Sequence, residues 1–512
     1  MNADKIYIET KEVNKAYIGN TKIKLSSTNA SQNDNYIIKT NKSGNFTIKL
    51  ASSFTKSDVT IDFGNGKIMT ASIDSSLRSF STNYTDSSEK LISISNSSII
   101  SSLYCNNMNI SELRLNTLQN LEKLVCYNNN IASLDFSNNS IIQFIHCFSN
   151  PIIDNDTSLT AMIKSLPDRN NKAYGSLIID NTVQRLKMES ISIQKDWLFG
   201  SAIMYNEKEW AKCGYHFKQT GVADIWESAE RGDGVTIAII DVGFDLNCIE
   251  YDKSRIIETK NFSNHGRSNE VPIPTSGTIT HGNSTSCILM AKGINMYGIC
   301  PNASFRLYKA CDDKSVAYSN WVSSALNYCK SKKVNIVSMS LSFRSSYTNL
   351  YNSVKNLCLP GIFSFYKGIP LVCSNYNIGD NNSGTDEVSY PGFYKYPISM
   401  GSLKSNNELS NSSPSYNGID FVTYGKSIYT QKAYNAYGNF SGTSASTPLA
   451  AGIATLLINI FYKKNKYYPS EKELYLELCK RTIPMNIDSK SCGVGRLMLT
   501  SYNENPTKIE HT

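Results

Sequence analysis

At 512 residues the chain has room for about three domains, and 40% hydrophobic residues are enough for packed cores. A net charge of +8, without a clustered basic stripe, fits ordinary solubility and gives no sign of nucleic-acid binding. No apolar run reaches the length of a membrane span. The start Met1-Asn2-Ala3-Asp4-Lys5 has no signal-peptide pattern, and thirteen cysteines, an odd number, fit a reducing compartment better than a disulfide scaffold. A cytoplasmic location is therefore favoured, with a secreted one open if a signal peptide has been removed.

Residues 1–85 alternate apolar and polar side chains, as in Asn45-Phe46-Thr47-Ile48-Lys49-Leu50 and Val59-Thr60-Ile61-Asp62-Phe63, with Asn-Gly and Ser-Gly turn signals between them. This predicts a small β domain able to cap the first repeat of the next region. Over residues 86–182, Cys105, Cys126 and Cys147 recur every 21 residues, in step with Leu103, Leu124 and Ile145 and with Ile110, Ile131 and Ile152. Asn129 and Asn150 hold a matching asparagine position; Met108 does not. The pattern resembles a bacterial leucine-rich-repeat solenoid, one short strand per repeat, with the cysteines as a buried apolar column. Metal binding is disfavoured, because no Cys-x-x-Cys pairs occur. Ser165-Leu166-Pro167-Asp168-Arg169 and Gly175 to Asp180 resemble the closing section of such arrays. Residues 183–210, with Trp197, Leu198 and Trp210, read as a partly helical connector.

Beyond the connector, three contexts carry chemistry. Thr236-Ile237-Ala238-Ile239-Ile240-Asp241, bounded by glycines, reads as a central parallel strand ending on an aspartate. The carboxyl ends of such strands are where α/β sites lie. Thr280-His281-Gly282-Asn283-Ser284-Thr285-Ser286 leads into Cys287 to Ala291, which puts a histidine at a helix entry. Gly442-Thr443-Ser444-Ala445-Ser446-Thr447-Pro448 precedes the apolar Leu449 to Ile460, which places Ser444 at the start of a buried helix, with Pro448 expected within its first turn. Trp321 to Lys330 and Asn335 to Leu341 form a helix-then-strand pattern after the strand Phe305 to Lys309.

Residues 211–505 resemble a subtilisin-like serine protease (subtilase): Asp241 in Ile-Ile-Asp-Val-Gly, His281 in His-Gly-Asn-Ser and Ser444 in Gly-Thr-Ser-Ala-Ser-Thr-Pro stand in that family's order. The resemblance implies an α/β fold, a parallel sheet flanked by helices, and a catalytic triad of Asp241, His281 and Ser444. It implies Asn377 as the oxyanion donor, with Asn375 as the alternative, and places Ser340, Leu341 and Ser342 at the start of the substrate-binding strand. Tyr376 and Ser342 stand where the family usually has glycine. The loop Ala291 to Gly298 is short beside members with a tight calcium site there. Glu250 matches a ligand position but reads as a solvated lone acid, so neither a metal nor a cofactor is expected. No segment resembling the inhibitory propeptide directly precedes residue 211.

Two functions are compatible with these residues. One is a serine endopeptidase acting on protein or peptide substrates, with the repeats recruiting substrate or partner. The alternative is a catalytically degenerate or latent protease-fold protein that acts as a leucine-rich-repeat binding module. The presence of Asp241, His281, Ser444 and Asn377 together favours the first.

Overall fold

The computed structural model describes residues 36–54, 56–179, 191–199, 211–361, 367–380 and 382–503, with short pieces at 7–8, 16–18 and 21–23 and single positions at 188, 208 and 506. The chain divides into two compact units, one formed by Met1–Ile141 with Asn150–Ser158, the other by Ile142–Ser149 with Leu159–Thr512.

The first unit is built from short strands. Gly44–Ala51 pairs antiparallel with Arg78–Tyr84, and its alternation puts Phe46, Ile48 and Leu50 inside. Ser57–Asp62 pairs with Ile68–Ile73 and buries Val59 and Ile61. Ser102–Tyr104 runs parallel to Lys123–Val125 with Leu103 opposite Leu124, and its other edge pairs antiparallel with Gly44–Ala51. Leu103, Cys105, Leu124 and Cys126 are fully buried. The Asn129 side chain closes the turns beside them. Its amide donates to the Cys105 and Cys126 carbonyls, and its oxygen accepts from the Met108 and Ile110 amides. Asn150 repeats part of this, donating to Cys126 and accepting from Ile131.

In the second unit, Phe144–His146, Gly175–Ile178 and Trp197–Phe199 run parallel. Trp197 and Leu198 are thus strand residues; Trp210 lies outside the described residues. The main sheet has nine strands among the described residues, in the order Ile256–Asn261, Ser304–Lys309, Thr236–Asp241, Ile336–Met339, Leu371–Ser374, Ile398–Leu403, Phe421–Tyr424, Arg496–Leu497 and Thr482–Ile483. All neighbours are parallel except the last pair. The central strands, from Thr236–Asp241 through Ile336–Met339, Leu371–Ser374 and Ile398–Leu403 to Phe421–Tyr424, are buried on both faces almost throughout, as expected of a parallel sheet covered on both sides. From Ser304–Lys309 the chain crosses through the helix Ser319–Ser331 to Ile336–Met339, on the opposite side of the Asp241 strand. Asp241 therefore ends the strand at which the order reverses, where α/β folds open a crevice.

The helix Thr443–Asn465 packs through the centre of this unit. By length and composition alone it would cross a membrane, which corrects the expectation that no apolar run is long enough; 89% of its most apolar window is buried inside the protein. All thirteen cysteines are buried free thiols.

Candidate active site

Asp241 is fully buried at its strand end. One carboxylate oxygen accepts the Val242 amide at 2.7 Å and the Nδ1 hydrogen of His281 at 2.7 Å. The other accepts the Thr285 hydroxyl at 2.9 Å. His281 opens the helix His281–Met290, and Thr285 lies one turn further on, so both reach the same carboxylate. The helix can approach this closely only because Gly282 has no side chain: a Cβ there would stand 2.0 Å from the Gly243 carbonyl oxygen. Burial pushes the His281 imidazole towards its neutral form. The charge of Asp241 and its hydrogen bond outweigh that, so its pKa is raised.

Ser444 is the second residue of its helix and the one residue from Thr443 to Ile460 that is not buried. The Thr443 amide donates to the Asn377 side-chain oxygen at 2.8 Å and the Ala445 amide to the Gly442 carbonyl. The first amides of a helix have no partner within it, and the dipole makes this end positive, so the Ser444 amide is a ready donor to an anion. The Phe440 ring stands edge-on to the His281 imidazole, centroids 5.3 Å apart. No hydrogen bond joins Ser444 Oγ to His281 among the described residues.

The two asparagines separate cleanly. Asn375 is buried; its amide hydrogens go to Ser399 Oγ and the Met400 carbonyl, and its oxygen accepts from Ser389 and Tyr416. Asn377 is exposed and lies against the Ser444 loop, where a Cβ on Gly442 would come within 2.7 Å of its Nδ2. Tyr376, between them, stacks beneath the Arg344 guanidinium.

Ser340, Leu341 and Ser342 follow the strand Ile336–Met339. The Ser340 and Leu341 side chains are buried, and the Ser340 hydroxyl donates to the Ser444 carbonyl. Ser342 is half-buried. Pro448 lies beyond the first turn, as the sixth residue of its helix, which corrects the sequence expectation. It is tolerated because the Ser444 carbonyl, left without the amide that position 448 would supply, accepts Ser340 instead.

Glu250 is a second correction: it is fully buried, not solvated. Its carboxylate accepts the amides of Ile294, Asn295 and Met296 and the Tyr437 hydroxyl. A calcium ion does not fit there, because a cation needs oxygen ligands and this carboxylate is ringed by hydrogen donors. Thr285 and Phe440 are site residues that the sequence reading misses, and only Thr285, one helical turn from His281, carries a usable signal.

A buried aspartate bonded to a histidine, near a serine at a helix start on a parallel sheet, is the architecture of a serine hydrolase. Residues 232–495 match the model of the subtilase family, and the chain belongs to that family. It is 30% identical over 292 residues to the major intracellular serine protease of Bacillus subtilis (strain 168), covering 56% of this chain and 88% of that protein. It is 32% identical over 282 residues to an intracellular serine protease of Paenibacillus polymyxa, covering 55% and 83%. Thermitase of Thermoactinomyces vulgaris is 25% identical over 232 residues, covering 45% and 77%. The protein is a subtilisin-like serine endopeptidase.

Proposed function

We propose that Asp241, His281 and Ser444 form the catalytic triad, with Asn377 as oxyanion donor. The observation that carries this reading is the 2.7 Å bond from His281 Nδ1 to the buried Asp241 carboxylate, which fixes the tautomer with Nε2 free to accept a proton. Nε2 takes the Ser444 hydroxyl proton as Oγ bonds to the scissile carbonyl carbon. The displaced π pair becomes an oxyanion, held by the Ser444 amide and Asn377 Nδ2. Collapse expels the amine, which leaves with the proton from His281, and water then hydrolyses the acyl-enzyme by the same steps in reverse. Backbone groups of Ser340, Leu341 and Ser342 line the substrate strand. Labelling with a fluorophosphonate, with Ser444→Ala as control, tests the assignment. Labelling of folded wild type alone supports it, and no labelling would favour the latent or degenerate binding module.

Residues 1–85 serve as a β-rich cap and 86–182 as a leucine-rich-repeat array that recruits the protein substrate or a partner; 183–210 connect to the protease domain at 211–505. The 21-residue register between Ser102–Tyr104 and Lys123–Val125 and the Asn129 turn bonds support the repeats. Strands Phe144–His146 and Gly175–Ile178 belong to the protease-bearing unit, so the informative deletion stops at residue 141. Removing 1–141 should raise KM for the natural protein target and leave a short peptide unaffected. Equal loss on both would sink the recruiting role.

A further inference from the structure

Glu250 joins three stretches of chain that each lead to or from a member of the site. It lies on the segment that leaves the Asp241 strand. Its Oε2 accepts the Ile294 amide at 2.9 Å, and its Oε1 the Asn295 and Met296 amides at 2.6 and 3.2 Å, all from the loop after the His281 helix. Oε1 also accepts the Tyr437 hydroxyl at 2.9 Å, from the strand Tyr437–Phe440 that runs into Ser444. The backbone repeats these ties. The Glu250 carbonyl accepts the Lys292 amide, and the Glu250 amide donates to the side chain of Gln431, on the strand paired with Tyr437–Phe440. Asn295 Nδ2 donates to the Tyr437 hydroxyl, which closes the ring of contacts.

We propose that Glu250 is a positioning residue for the Asp241, His281 and Ser444 site, its carboxylate fixing the three carrying segments against one another through donors of this chain. The inference rests on the catalytic reading above. It comes from the chemistry of the group. A fully buried carboxylate without partners would be very unfavourable, and here both oxygens are satisfied by donors from two other segments. Bonds from amides to an ionised acceptor are among the stronger hydrogen bonds. Slippage of any one segment breaks bonds to the other two. The Phe440 ring against His281 passes the position of the Tyr437 strand directly to the imidazole.

The test compares wild type, Glu250→Gln and Tyr437→Phe, each confirmed folded by circular dichroism, on a short peptide, with and without EDTA. Glutamine keeps the shape but turns an NH2 group towards the loop amides. It should lower kcat by about 10-fold or more with KM within about 2-fold. Tyr437→Phe cuts only the tie to the Ser444 strand and should lower kcat by a smaller factor, about 3-fold. EDTA should leave wild-type kcat and Tm unchanged. A folded Glu250→Gln at wild-type kcat, even with a reduced Tm, would make Glu250 merely structural and overturn the proposal. If Glu250→Gln does not fold, unchanged kcat in Tyr437→Phe overturns it. EDTA sensitivity of the wild type that Glu250→Gln abolishes would place a cation on the carboxylate and also overturn it. If the wild type neither turns over nor labels, the catalytic reading has failed on its own. The NMR resonance of the His281 Nδ1 hydrogen then decides in the most conservative folded variant: a shifted or exchange-broadened signal supports positioning, an unchanged one rejects it.

Discussion

The Ser340 hydroxyl donates to the Ser444 carbonyl across 3.0 Å, and Pro448 is the reason that carbonyl is free to accept. A helical amide at 448 would otherwise bond to it. Ser340→Ala should therefore cost about 1 kcal/mol of stability, the usual size for leaving such a group without its partner. Pro448→Ala returns the missing amide, so Ser340→Ala should cost less in that background. Denaturant unfolding of the four proteins of the cycle measures the coupling, and strict additivity would refute the link.

Activity should depend on pH through His281. Its pKa is raised above the usual 6.5, burial being more than offset by Asp241. The base must be neutral to accept a proton, so kcat/KM should fall with decreasing pH along a limb whose midpoint lies above 6.5. The stability effect has the opposite sense: the folded state holds this proton more tightly, a stabilisation complete below about 6.5 and lost as pH rises through the folded value. Asp241→Asn removes the charge and should shift the limb below the wild-type midpoint, while kcat falls by roughly 10⁴. A wild-type limb at or below 6.5 would contradict the assignment.

Asn377 and Asn375 should fail in different ways. Asn377→Ala should fold normally and lose about 10²–10³ in kcat, the magnitude set by subtilisin itself. Asn375→Ala removes a side chain with four partners in the core and should lower Tm. Thermal melts beside peptide kinetics separate them; a large drop in kcat for Asn375→Ala without loss of Tm would reverse the roles.

Acid should weaken the fold through His216. This imidazole is buried, with no hydrogen-bond partner for Nδ1 among the described residues, and burial pushes its pKa down to about 4. The unfolded chain takes up the proton near 6.5, so stability falls as pH drops from there to about 4, by about 3 kcal/mol in total. His216→Phe should flatten that slope in denaturant titrations across this range. An unchanged slope would assign the acid sensitivity elsewhere.

The strands and helix entries of the protease-bearing unit were legible because their signals are local. The Asp241 strand reads in the sequence as an apolar run closed by an acid, and it spans Thr236–Asp241. The strand read from Phe305 starts at Ser304, and the helix read from Trp321 begins at Ser319. The burial of Glu250 was not legible, because its partners are mostly backbone amides of a loop, and no side-chain pattern marks them. The inward turn of Ser340 escaped for a similar reason: its partner is a carbonyl exposed by a proline far along the chain. The Asn375 or Asn377 choice needed a third dimension, since both stand on the same short segment and only burial separates them.

The Asp241 strand has one further consequence. It is flanked by parallel neighbours on both sides and its terminal carboxylate is sealed from solvent. Regions of this kind open only when the whole cooperative unit opens. The anchor of the histidine therefore has no private route to disorder. Within the protease-bearing unit, loss of activity on heating should therefore share its midpoint with the melting of that unit's main sheet.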